Sequence, residues 1–216
     1  MLVAGVDEAG RGPALGPMAL ALVVATKEQE ELLLGMGVRD SKELQPKERE
    51  RLEKKILDCI EEYRIVLVEP KELDALMERK SLNEIEAMRI AEMLNSLNSC
   101  PEIVFVDSPD IIERNFAKRI KKYCSKSVLI RAEHFADKNY AVVSAASILA
   151  KTARDRAIEM LKREFGEIGS GYSSDPITIE FLQKWVKEKG SLPPIARKNW
   201  ETSKRELDKK FQTRLS

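Results

Sequence analysis

The chain has 216 residues, of which 43% are hydrophobic, with 37 Lys plus Arg against 36 Asp plus Glu. That is enough apolar material for one domain with a small appendage, and it excludes a disordered chain. Cys59, Cys100 and Cys124 are few, odd in number and scattered, which excludes a disulfide framework and points to a reducing compartment.

Residues 2–6 are an apolar run that stops at Asp7-Glu8 and read as a buried strand. Ala9-Gly10-Arg11-Gly12-Pro13 can only turn, and residues 18–25 form a second strand, antiparallel to the first if the loop joins them directly. The longest uncharged stretch, residues 12–26, holds two prolines and two glycines in 15 residues, too short and broken to span a bilayer. No basic segment precedes it, as a secretion signal would require, so the expected location is the cytoplasm. A charged helix follows at 46–61, with Leu52, Ile56 and Ile60 at four-residue steps, then a strand at 64–68. Residues 82–97 read as a helix with Ile90, Met93, Leu94 and Leu97 on one face. A strand at 103–106 stops at Asp107. After it come a basic helix at 111–123, a strand at 128–132 and a long helix at 142–165, whose buried stripe includes Ala146, Ala150, Ala153 and Ala157. A glycine-rich loop fills 166–176, Ile179, Leu182 and Val186 mark a short helix, and the polar remainder from 197 is helical. Strands first, then strands alternating with helices, give an α/β fold on a mixed sheet of five strands.

The chemistry concentrates at strand ends. Val6-Asp7 and Val106-Asp107 end two strands alike, and the functional crevice of an open α/β sheet lies at such carboxyl ends. Glu8 adjoins Asp7, and Asp137 follows the fifth strand. Each aspartate alone also fits a turn or a helix cap. Together, clustered carboxylates repel unless a cation sits among them, and their hard oxygens suit Mg²⁺ or Mn²⁺. His134, the only histidine, is either a proton relay or a structural hydrogen-bonding group; Trp185 and Trp200 read as helix-packing residues. Seven basic residues against one acidic at 111–131, and nine against four at 187–216, are either phosphate-binding surface or solvated helix faces.

The motifs resemble those of ribonuclease HII, in its archaeal branch. They are Asp7-Glu8-Ala9-Gly10-Arg11-Gly12-Pro13, Asp40-Ser41-Lys42, Val106-Asp107-Ser108, the run SAASILAK at 144–151, and Gly169-Ser170-Gly171-Tyr172 followed by Ser174-Asp175-Pro176. They fall in that family's order over residues 1–200. The resemblance implies a ribonuclease H-like mixed five-stranded sheet flanked by helices. It also implies a catalytic domain at 1–165 and a junction-recognition loop with a C-terminal helical extension at 166–216. It implies an endonuclease that cuts the RNA strand of RNA–DNA hybrids and nicks DNA 5′ of an embedded ribonucleotide, leaving 3′-OH and 5′-phosphate ends. By the same resemblance Asp7, Glu8, Asp107 and Asp137 are the catalytic carboxylates that bind Mg²⁺ or Mn²⁺. Gly10, Arg11 and Gly12 contact the RNA–DNA junction, Tyr172 packs on its sugar, and Lys42, Ser147 and Lys151 touch phosphates.

The chain departs from the family pattern at Phe135, where Lys is usual, and Ala141, where Pro is common. Phe135 removes a charge two residues before Asp137 and puts a phosphate contact there in question. A structure-specific DNA nuclease of the same superfamily and a non-catalytic nucleic-acid-binding module are the competing readings. The four carboxylates argue against the module, and the Gly10-Arg11-Gly12 loop with Tyr172 against the DNA nuclease. Gln212 and Leu215 match only the first half of a sliding-clamp motif, so strong clamp binding is not expected, and the chain is expected to act as a monomer.

Overall fold

The structure, a computed structural model, describes residues 1–38 and 44–213, with side chains through 209. The Asp40-Ser41-Lys42 motif, and with it the expected phosphate contact of Lys42, lies outside the described residues. So do Leu215 and the side chain of Gln212. The chain divides into two compact units, each discontinuous in sequence.

The first unit comprises residues 1–9, 19–67 and 81–153. It is built on a five-stranded mixed sheet of order β3-β2-β1-β4-β5. The strands are β1 (Leu2–Ala9), β2 (Met18–Thr26), β3 (Glu62–Val68), β4 (Ile103–Asp107) and β5 (Leu129–Glu133). β1 pairs antiparallel with β2 and parallel with β4, and β4 pairs parallel with β5. Its helices are α1 (Lys27–Gly35), α2 (Pro46–Cys59), α4 (Leu82–Asn95), α5 (Glu113–Tyr123) and the single turn α6 (Ala136–Asn139). The helix α7 (Ala141–Phe165) gives its first half to this unit. β2 is buried along nearly its whole length, as a central strand covered on both faces must be, so its sequence is a continuous apolar run.

The core joins β1 and β2 to the alanine-rich start of α7 through Val3, Ala21, Val23, Val142, Ala145, Ala146, Leu149 and Ala150. Gly5 explains the closeness of that packing. A Cβ at Gly5 would lie 2.3 Å from both the Val142 carbonyl carbon and the Val143 nitrogen, so the helix backbone sits directly on the strand.

The second unit comprises residues 10–18, 68–80 and 154–216. It holds α3 (Pro70–Met77), the second half of α7, α8 (Pro176–Lys189) and α9 (Glu201–Thr213). Ala14, Leu15, Ile168, Leu182, Ile195 and Ala196 form its own small core. That core is why residues 14 and 15, early in the chain, belong with the C-terminal helices.

Three helices were not among the expected elements. α1 is started by a capping box, with Thr26 and Gln29 each accepting the other's backbone N–H. α3 has Pro70 at its first position, and α6 is a single turn. The first strand also runs further than expected, through Ala9, so Asp7 and Glu8 lie within β1 rather than after it. No helix among the described residues is long and apolar enough to cross a membrane.

Candidate active site

The carboxylates come together because of strand register. Val6 lies opposite Val106 in the parallel β1–β4 pair, so Asp7 and Asp107, each one residue on, leave the sheet side by side and on the same face. Asp7 is buried, and its carboxylate accepts the Glu8 N–H at 2.8 Å and a hydrogen bond from the Ser147 side chain on α7. Burial pushes the Asp7 carboxyl well above the usual carboxylate range. The Glu8 charge adds to this and Asp107 adds less, while the Ser147 bond pulls the other way.

Asp107 accepts the Ala136 N–H at 2.8 Å, which ties β4 to α6. Asp137, the next residue, is buried at 5% exposure, and its backbone carbonyl accepts the Ser144 hydroxyl. The turn before it is unusual. Phe135 is the non-glycine residue in the left-handed region among those described, at φ 57°, with an exposed ring facing the Lys138 ammonium at 5.0 Å. His134 is held structurally: its ring nitrogens face the carbonyls of Ser108 and Ile111 at 3.2 and 3.4 Å.

Among the described residues, no group of three or more His, Cys, Asp or Glu side chains stands as a ready-made metal cage. The donors nevertheless fit a divalent ion by their chemistry. They are hard carboxylate oxygens, and Asp7 is buried against two like charges, a cost that a cation would remove.

The second unit carries the expected junction residues Gly10, Arg11, Gly12 and Tyr172. The Gly10-Arg11-Gly12 loop and Tyr172 are brought together: the Gly171 carbonyl accepts the N–H groups of Ala14 at 2.8 Å and Leu15 at 3.2 Å. A Cβ at Gly12 would lie 4.0 Å from the Tyr172 ring. Gly10 has φ 77°, and a Cβ there would meet Arg154 Nε at 2.1 Å, so only glycine fits.

The Tyr172 loop is built on the start of α8. Asp175 caps that helix through the Ile177 N–H and also accepts the Ser170 N–H and hydroxyl, bonds that hold its carboxyl below the usual range. Thr178 accepts the Gly171 N–H and donates to the Ile168 carbonyl, both at 2.9 Å. The phenol ring of Tyr172 is left 41% exposed, with the Arg154 guanidinium 5.0 Å from its centroid.

Ser147, expected at a phosphate, is buried and turned onto Asp7, whereas Lys151 is half-buried on α7. Two residues that sequence reasoning missed are Arg154 and Arg197. Arg197 is fully buried and bonds the loop's carbonyls; burial and then the Arg154 charge push it down to about 9, so it stays charged at neutral pH. Nothing in the local sequence marks a buried arginine, since its periodicity is that of any surface cation.

The basic run at 111–131 is largely engaged inside the protein. Arg119 bonds Asp110 and Glu84 at 2.9 Å, Lys122 bonds Glu84, and Lys121 and Lys126 bond backbone carbonyls. Trp185 packs against Phe165 and Phe181 as expected of a helix-packing residue, whereas Trp200, just before α9, lies against the Arg197 guanidinium.

Comparisons with known proteins identify the family. The family model described as Ribonuclease HII matches residues 4–203. A ribonuclease HII of Pyrococcus horikoshii is 46% identical over 212 residues, 98% of this chain and 95% of its own length. The crystal structure of the ribonuclease H2 from Pyrococcus horikoshii OT3 superposes with a TM-score of 0.91 at 46% identity, covering 97% of this chain and 98% of that one. The ribonuclease HII from Archaeoglobus fulgidus, solved as a complex with PCNA, superposes with a TM-score of 0.85 at 40% identity, covering 93% and 96%. The chain therefore belongs to the ribonuclease HII family and is an endoribonuclease of the ribonuclease H type.

Proposed function

We propose that the chain hydrolyses the RNA strand of RNA–DNA hybrids and nicks duplex DNA on the 5′ side of an embedded ribonucleotide, leaving 3′-OH and 5′-phosphate ends. The observation that carries this reading is the register of Val6 on Val106, which sets Asp7 beside Asp107 with Glu8 next in the strand. Asp7, Glu8, Asp107 and Asp137 would hold Mg²⁺ or Mn²⁺. When bound, such ions supply an ionised water and neutralise charge at the scissile phosphate.

The chain's own residues prepare for this. The Glu8 N–H and the Ser147 hydroxyl steady Asp7, and the Ala136 N–H steadies Asp107, so both carboxylates are aimed before substrate arrives. Gly10, Arg11 and Gly12 read the ribose through close backbone approach, and the Tyr172 ring packs on the neighbouring sugar. Lys42 and Lys151 neutralise phosphates. The segment 166–216 serves junction recognition, beginning with the loop that carries Tyr172. The three free cysteines suit the reducing cytoplasm, where we place the enzyme.

The test is cleavage of an end-labelled DNA duplex carrying one ribonucleotide, with and without Mg²⁺. A single nick 5′ of the ribonucleotide, dependent on the ion, is expected. Cleavage of the all-DNA control, or cleavage that survives a chelator, would overturn the reading.

A further inference from the structure

The Gly10-Arg11-Gly12 loop is held from inside by one side chain. Arg197 is 0% exposed, and its guanidinium donates to three loop carbonyls. Nη2 reaches Gly10 O at 2.7 Å, Nη1 reaches Arg11 O at 3.1 Å, and Nε reaches Gly16 O at 2.9 Å. The Trp200 ring lies 4.8 Å from the guanidinium carbon and closes the other side. Arg197 is itself anchored, since its N–H donates to Ala14 O at 2.9 Å.

Peptide geometry turns this clamp into a statement about the opposite side of the loop. In a trans peptide the C=O of one residue and the N–H of the next point in opposite directions, and no described peptide bond is cis. The carbonyls of Gly10 and Arg11 point onto Arg197, so the N–H groups of Arg11 and Gly12 point away from it. Two successive N–H groups facing one way make a concavity that takes an oxygen ligand. A loop with two glycines has no side-chain reason to hold its peptide planes so. The rigid fork of a guanidinium does, because its donors lie in one plane at set angles. A lysine would offer a single movable point and leave at least one carbonyl to turn.

We infer that Arg197 is the positioning residue of the ribose-reading loop: it touches no substrate, and it fixes the Arg11 and Gly12 N–H groups toward the sugar hydroxyl. This rests on the proposed reading of that loop as the ribose sensor. Its consequence is that selectivity for a ribonucleotide depends on a residue about 185 positions away in sequence and buried beneath the loop.

The experiment is equilibrium binding, by fluorescence anisotropy in chelator, to a duplex with one ribonucleotide and to the same duplex in all-DNA form. Wild type should prefer the ribonucleotide duplex. Arg197→Lys should lose about tenfold of that preference while its affinity for the all-DNA duplex stays the same, because the lost contacts are to the 2′-OH alone. Amide relaxation of Arg11 and Gly12 in the unbound protein should show increased motion in the same variant. If Arg197→Lys does not fold, Trp200→Leu keeps the arginine, removes only the ring against it, and should lower the preference in the same direction. A wild type without preference would overturn the ribose-sensor reading and the inference with it. A wild type with preference, matched by the folded variants, would overturn the role of Arg197 alone.

Discussion

Gly5→Ala tests how closely α7 rests on β1. The new Cβ would lie 2.3 Å from two backbone atoms at Val142–Val143, where ordinary contact begins at 3.4 Å, so strand and helix must part by about 1 Å. A helix backbone does not yield as the tip of a flexible side chain would. Overpacking costs about 1–3 kcal/mol, and here the upper end applies, about 3 kcal/mol. For a chain of this length that corresponds to a fall in Tm of roughly 6–12 °C.

The same displacement moves Ser147 relative to Asp7, which lies two residues beyond Gly5 on the same strand face, and cleavage should slow by about ten- to a hundredfold. Gly35→Ala is the matched control. Gly35 ends α1 with nothing within 4 Å of its would-be Cβ, so alanine there should stabilise by about 0.5–1 kcal/mol. The assays are thermal melts of both variants and the rate on a single-ribonucleotide duplex. If Gly5→Ala melts with Gly35→Ala and cuts at the wild-type rate, the close seating of α7 on β1 is wrong.

Asp7→Asn and Asp107→Asn should each lose at least ~10²-fold in rate. Asp7→Asn should nevertheless melt higher than wild type in chelator, because it removes a buried charge from beside Glu8 and Asp107; a lower Tm would contradict that repulsion. Tyr172→Ala should lose most cleavage at a single ribonucleotide and Tyr172→Phe keep an intermediate level, since the ring packs and the hydroxyl only adds a contact. Equal rates for wild type and Tyr172→Ala would remove Tyr172 from the site.

Acid stability should depend on Glu84 and Glu62. The Tyr123 hydroxyl first, then Arg119 and Lys122, against the effect of burial, bring Glu84 to about 2. Burial raises Glu62, but the Ser99 hydroxyl, the N–H groups of Asn98 and Ser99, and Arg64 outweigh it and bring it to about 2. These carboxylates titrate lower folded than unfolded, so their stabilisation is present above about pH 4.5 and lost as pH falls toward about 2. Glu84→Gln should therefore narrow the stability gap between neutral and acid pH in denaturant melts. An unchanged gap would deny the pairing of α4 with α5 through Glu84.

The amino-acid sequence by itself determined the strands and most of the helices, and it marked the carboxylates as candidates. Continuous apolar runs, four-residue helical steps and the Gly-rich loops carry local physics, and Asp7 and Asp107 were legible because each interrupts an apolar strand. Even α1 and α3, which were missed, left local signs, Thr26 with Gln29 at α1 and Pro70 at α3, because caps act within one turn. Tertiary structure alone decided what depends on residues far apart in the chain. The register of Val6 on Val106 makes two separate aspartates neighbours, and the packing of α7 on the sheet brings the Ser147 side chain onto Asp7. Two cations of α5, Arg119 and Lys122, are paired with Glu84 and Asp110, which no charge count can foresee. Arg197 is the extreme case. Its sequence neighbours mark it as an ordinary surface cation, and only the packing of residues 10–18 with 154–216 buries it under three carbonyls that local sequence cannot pair with it.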